Sequence, residues 1–143
     1  MARWHVLAVV VAILALGTRA GAQPAGDVRR FDGTWTVVLR CGPAPDGALG
    51  YSLAFDATVR DGHLHGQYGN PGQSPSVTYD GTIHPDGSAI IGADGLTGDP
   101  LRNVGQISKG QHYAYHVPAQ FSATHGSGKR TEIRPCDVDF ARQ

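Results

Sequence analysis

Apolar and polar residues alternate through most of this chain with a period of two, the signature of half-buried β-strands. From Phe31 to Cys41, Trp35, Val37, Leu39 and Cys41 share one face, while Thr34, Thr36, Val38 and Arg40 share the other. Tyr51 to Arg60 repeats the pattern, with Tyr51, Leu53, Phe55, Ala57 and Val59 inward. Further strands are predicted over 63–68 (Leu64 and Tyr68 inward), 76–84 (Val77, Tyr79, Ile83) and 88–93. His112 to His125 alternates through Tyr113, Tyr115, Val117, Ala119 and Phe121. Within it, Pro118 marks an edge, a bulge or a bend. The last strand, 130–142, carries Cys136, Val138 and Phe140 at alternate positions.

Turn chemistry supports the same division. Asp-Gly falls at 61–62 and 86–87 between alternating runs, where a tight hairpin needs residues that accept positive φ. Gly42 to Gly50 and Gly69 to Pro75 read as loops, and Gly126-Ser127-Gly128-Lys129 reads as a hairpin turn. That last segment has a phosphate-loop flavour. However, Ala123 stands where the first glycine belongs, Arg130 replaces the Ser/Thr, and strands flank it on both sides. Over 94–111 the alternation fades and no element is assigned.

Before the first strand the pattern changes. Val6 to Leu16 is a continuous apolar run behind Arg3, and Ala20-Gly21-Ala22 has the small residues of a cleavage site. Eleven apolar residues fall short of the ~20 that span a bilayer, so residues 1–22 read as a secretory signal cleaved near Ala22. Residues 23–30 are expected to be a flexible polar lead-in, and 31–143 a single β-domain. The expected location is secreted or periplasmic. Composition agrees with an all-β domain: 20 of 143 residues are glycine, eleven of the twelve acids are Asp, and Lys appears twice. The leader's two charges are both basic, so the remainder carries two more acids than bases. Such a balance offers no basic footprint for nucleic acid and no polybasic membrane patch.

Two cysteines in an exported chain predict one disulfide, Cys41–Cys136. If it joins antiparallel neighbours, Leu39 faces Val138, Val37 faces Phe140 and Trp35 faces Arg142. First and last strands would then close an up-and-down barrel and remove its exposed edges. Antiparallel closure needs an even number of strands, and seven are recognisable. One more strand or reversal is therefore expected inside Leu101 to Ser108. A β-sandwich with the disulfide crossing between sheets is the alternative for the same strand list.

Gly33-Thr34-Trp35 resembles the Gly-x-Trp signature of the calycin superfamily, the lipocalin and avidin-type barrels. The resemblance implies an eight-stranded barrel with Trp35 near its base, covered by an arginine from the last strand or just beyond. Arg142 would take that part, with Arg134 as a second candidate. Exported bacterial metalloprotease inhibitors are similar in kind: a signal, a small barrel and one disulfide.

Candidate chemistry is sparse. His63 and His65 share one face of a strand, as do His112 and His116, but parity turns them outward, and they read as surface residues rather than metal ligands. The aspartates fall mostly in turns, no Gly-x-Ser-x-Gly elbow occurs, and both cysteines are assigned to the disulfide. Neither catalysis nor a cofactor is expected. The inward aromatics are the main lead: Tyr51, Phe55, Tyr79, Tyr113 and Tyr115 are the candidate ligand-binding set. An eight-stranded barrel is either filled by side chains or just wide enough for one small ligand. The expectation is a non-enzymatic binding protein for a small apolar or aromatic ligand at the barrel mouth. The alternative is a protein-binding module, such as a periplasmic protease inhibitor or an envelope-associated partner, that uses the loops at 42–50, 69–75 and 94–111.

Overall fold

The computed structural model describes residues 26–143, so the signal reading at 1–22 lies outside the described residues. Eight strands run in sequence around a closed antiparallel barrel: β1 Gly33–Cys41, β2 Tyr51–Arg60, β3 His63–Tyr68, β4 Ser76–Thr82, β5 Ser88–Leu96, β6 His112–Phe121, β7 His125–Arg130 and β8 Cys136–Arg142. The barrel, not the sandwich, is the fold. β1 pairs with β8 in the register the disulfide predicts: Cys41 opposite Cys136, Leu39 opposite Val138, Val37 opposite Phe140 and Trp35 opposite Arg142. The disulfide forms, with the two Cα atoms 4.3 Å apart. A cross-link over 95 residues stabilises the fold by roughly 4–5 kcal/mol in the chain-entropy account.

The missing strand is not where parity arithmetic put it. Residues 101–108 contain two short 3-10 turns, Pro100–Arg102 and Val104–Gln106. The eighth strand is β7, which absorbs the glycine-rich segment read as a turn. Its inward positions are Gly126, Gly128 and Arg130, so the usual apolar alternation is silent there. The glycines are required by space. A Cβ at Gly126 would sit 2.6 Å from the Phe121 ring, and one at Gly128 would sit 2.6 Å from Val117 Cγ1 and 2.9 Å from the Pro118 carbonyl oxygen.

Pro118 explains the local geometry on the other side. It lies opposite Ile90 of β5, while the β6–β7 ladder begins only at Ala119. With no N–H to give, proline ends the ladder on one side. Above it β6 separates from β7, and the backbone N–H of His116 donates to the Glu132 carboxylate instead.

One end of the barrel is packed solid. Val28–Phe31, the end of the lead-in together with the first residue expected in the strand, forms a 3-10 turn that lays Phe31 into the core, and the strand begins at Gly33. Its carbonyl accepts from Trp35 Nε1 at 2.9 Å. Trp35 and Phe121 meet edge to face at 5.5 Å, and Phe140 packs on Phe121 at 4.8 Å. Arg142 works at this end, with a role that differs in detail from ring stacking. Its guanidinium donates to the carbonyls of Arg30, Asp32 and Ala123, tying three chain segments together. Arg134, the second candidate to cover Trp35, lies at the opposite end, over the ring of Tyr51.

If β7 is a strand with inward glycines, Gly128→Val should destabilise the barrel by about 1–3 kcal/mol through overpacking. Ser127→Val, which faces outward, should change stability by less than about 0.5 kcal/mol. Urea unfolding of both variants checks this, and equal tolerance would point back to a turn.

Candidate functional site

The inward face of the strands loses burial towards the other end. On β2, Phe55, Ala57 and Val59 are buried while Tyr51 and Leu53 are half-buried. On β6, Tyr115 and Val117 are buried while Tyr113 is half-buried, and on β3 burial falls from Leu64 to Tyr68. These half-buried residues surround a cavity of about 420 Å³ at the open mouth. That volume falls within the ~300–1,000 Å³ typical of small-molecule sites.

Of the five aromatic candidates, Tyr51 and Tyr113 line the cavity. Phe55, Tyr79 and Tyr115 lie one layer beneath it, in the packed core. Phe55 meets Tyr79 edge to face at 5.1 Å, and the hydroxyls of Tyr79 and Tyr115 share a buried hydrogen bond of 3.0 Å. Tyr113 stacks on Tyr115 at 5.9 Å with a 6° interplanar angle, and its hydroxyl donates to the Ser76 carbonyl. These three phenols are thus satisfied within the protein. Leu53 and Tyr68, also read as inward, complete the lower wall.

What alternation could not find is the upper wall. Leu96, Val104 and Ile107 come from the segment that the sequence left unassigned, and Arg130, Ile133 and Arg134 come from the β7–β8 region. Arg134 is buried, and its guanidinium donates to the carbonyls of Gly42, Ala48, Leu49 and Arg102. It staples the 42–50 and 97–111 loops to each other. The Leu49 N–H to the Leu101 carbonyl at 2.8 Å and the Gly105 N–H to Asp46 at 2.6 Å add to the same seam. The N–H groups of Gly105 and Ala48, both donating to it, hold the Asp46 carboxyl below its usual range. The mouth loops are therefore preformed walls.

Arg130 is the other buried arginine among the described residues, at 4% exposure. Its guanidinium lies 4.0 Å over the Tyr115 ring, and it donates to the Glu132 carbonyl at 3.0 Å and to the Tyr51 hydroxyl at 3.4 Å. The gap that Pro118 opens between β6 and β7 brings Arg130 over that ring.

The histidines face outward as parity requires. His63 and His65 both sit on Asp80, at 2.7 and 2.8 Å, His112 sits on Asp94, and His116 on Glu132. Among the described residues no group of three potential ligands is placed to hold a metal ion.

Burial pushes the Tyr79 phenol up to about 12, and it raises Tyr113 and Tyr115 as well, with the neighbouring phenols adding to the shift in both. A raised phenol contributes full stability below the unfolded value of 10.0, and that contribution is lost as pH rises beyond it. The barrel should therefore weaken from about pH 10 upward. The tyrosinate absorbance of these three residues should appear together with loss of the fold. Ionisation of all three near pH 10 in an intact barrel, followed by absorbance and circular dichroism together, would contradict the buried cluster.

The disulfide fits an oxidising compartment. No helix among the described residues is long and apolar enough to cross a membrane. Set against protein-family models, curated protein sequences and solved structures, the chain matches none, and what is established is an eight-stranded antiparallel barrel stitched by one disulfide.

Proposed function

We propose that this chain is a secreted or periplasmic, calycin-like binding protein that takes one small apolar or aromatic molecule into the open mouth of its barrel. The observation that carries this reading is the asymmetry of the interior. One end is filled by Phe31, Trp35, Phe121 and Phe140, and the other leaves a cavity of about 420 Å³ walled by Leu53, Leu96, Ile107 and tyrosine faces. Loops fastened to each other by Arg134 give that space fixed walls, which lowers the ordering cost of binding. A binding role without catalysis agrees with the wall chemistry. The Tyr113 hydroxyl donates to backbone, and the Asp99 carboxylate caps the Leu101 N–H at 3.0 Å beside Arg102.

A second reading, a protein-binding module, is favoured by one feature. Leu49, Leu101, Ile107 and Ile133 are large apolar side chains exposed on the loops around this same mouth. Under that reading the rim is an interface, and loss of partner binding in a Leu101→Ser variant with intact small-ligand binding would identify it.

The neutral aromatic fluorophore N-phenyl-1-naphthylamine tests the first reading. Wild-type protein should bind it saturably, one per barrel, with a blue-shifted emission. Leu53→Trp, which fills the cavity, should abolish that signal while far-ultraviolet circular dichroism stays unchanged. No saturable binding, or binding untouched by Leu53→Trp, would overturn the reading.

A further inference from the structure

We infer that the molecule held in this mouth is a small amphipathic anion, an apolar or aromatic body ending in a carboxylate, and that Arg130 receives its charge. This rests on the binding reading above and adds the chemistry of the ligand.

The whole chain is formally balanced, yet the cavity is lined by Arg102, Arg130 and Arg134 against Asp99 alone. Asp99 stands at the rim, where it caps Leu101 and lies 3.8 Å from Arg102. Arg134 spends its Nη donors on four loop carbonyls. Among the described residues no carboxylate forms an ion pair with either of these buried arginines, and Arg130 differs in that loop carbonyls do not take up its Nη donors. Glu132 is next to it in space, but the carboxylate is turned to His116, and only the Glu132 backbone carbonyl meets Arg130. Buried charges are ordinarily paired. This one is supported by a ring face, a carbonyl and a phenol.

The unused donors point to the ligand. Arg130 uses Nε on the Glu132 carbonyl and Nη1 on the Tyr51 hydroxyl. No described group accepts from Nη2, and Nη2 is not among the sealed side-chain atoms that lack a partner, so Arg130 keeps an N–H to offer a molecule in the cavity it lines. The Tyr51 hydroxyl, accepting from Arg130, keeps its own proton to donate. Because Arg130 Nη1 and the Tyr51 hydroxyl oxygen lie 3.4 Å apart, the free guanidinium N–H and the phenol O–H are neighbours and form a two-point donor for a carboxylate, whose two oxygens match such a fork. Above this pair the wall is apolar, formed by Leu96, Val104, Ile107 and Ile133. A carboxylate placed on Arg130 therefore sends its apolar body towards the mouth, against side chains that would otherwise face water. Inorganic anions leave those walls uncovered, and neutral apolar molecules leave the guanidinium unanswered.

Isothermal titration of the full chain at neutral pH tests this with two isosteric pairs, octanoate against octanamide and 2-naphthoate against 2-naphthamide. In wild-type protein each acid should bind about tenfold or more tighter than its amide, the range expected for charge-assisted hydrogen bonds. Arg130→Gln should erase the preference, Arg130→Lys should keep part of it, and Tyr51→Phe should reduce it. Binding of N-phenyl-1-naphthylamine by the same variants confirms that the cavity persists. Equal binding of acid and amide by wild-type protein overturns the inference and needs no variant to fold. So does a preference that survives Arg130→Gln. If the neutral fluorophore binds while acids show no preference, the anion assignment fails and the binding reading stands. If neither class binds, the binding reading itself fails.

Discussion

The fold depends on the seam between its first and last strands. A barrel has no edges only if those strands meet, and here they meet in one register, fixed by Cys41 opposite Cys136. A slip of one residue would turn Trp35, Val37 and Leu39 outward, because side chains alternate with period two. The covalent link at one end of the seam and the Arg142 hydrogen bonds at the other hold that alignment from both sides. The exposed Arg40–Asp139 pair across the same seam adds little by comparison.

Closure by itself does not make a site. The interior of an eight-stranded barrel is narrow enough to be filled, and this one is filled from the base up to the layer of Phe55, Tyr79 and Tyr115. Above that layer two breaks in regularity hold space open. Pro118 releases β6 from β7, and the chain from Thr97 to Gln111 folds over the mouth as short turns rather than as another strand. Arg134 then binds those turns to the 42–50 loop through their carbonyls, so the cavity wall is set by hydrogen bonds to backbone and not by apolar packing.

That difference decides how much was legible in the sequence. Wherever apolar side chains alternate, the strands, their inward faces and the seam register could be read directly, down to Val37 opposite Phe140. β7 was hidden because its inward residues are two glycines and an arginine, which look like a turn when neighbouring rings and carbonyls are out of view. The misplaced eighth strand followed from the same blind spot: the parity argument was sound, and only its location at 101–108 was wrong. At the site, Tyr51 and Tyr113 were visible as inward aromatics. Arg130 and Arg134 were not, because a buried arginine carries no periodic signal; its partners are carbonyls and ring faces assembled by tertiary structure. The cavity's lower half was therefore written in the pattern, and its upper half in hydrogen bonds that connect distant loops.

The central claim is that one end of this barrel is solid and the other receives a ligand. Amide chemical shifts followed by NMR during a titration with octanoate locate that end directly. The account predicts shifts gathered at Tyr51, Leu53, Tyr113, Arg130 and the 97–111 loop, with Trp35, Phe121 and Phe140 unmoved. Shifts centred on the aromatic end, or spread over the outer face around His63 and His65, would contradict it.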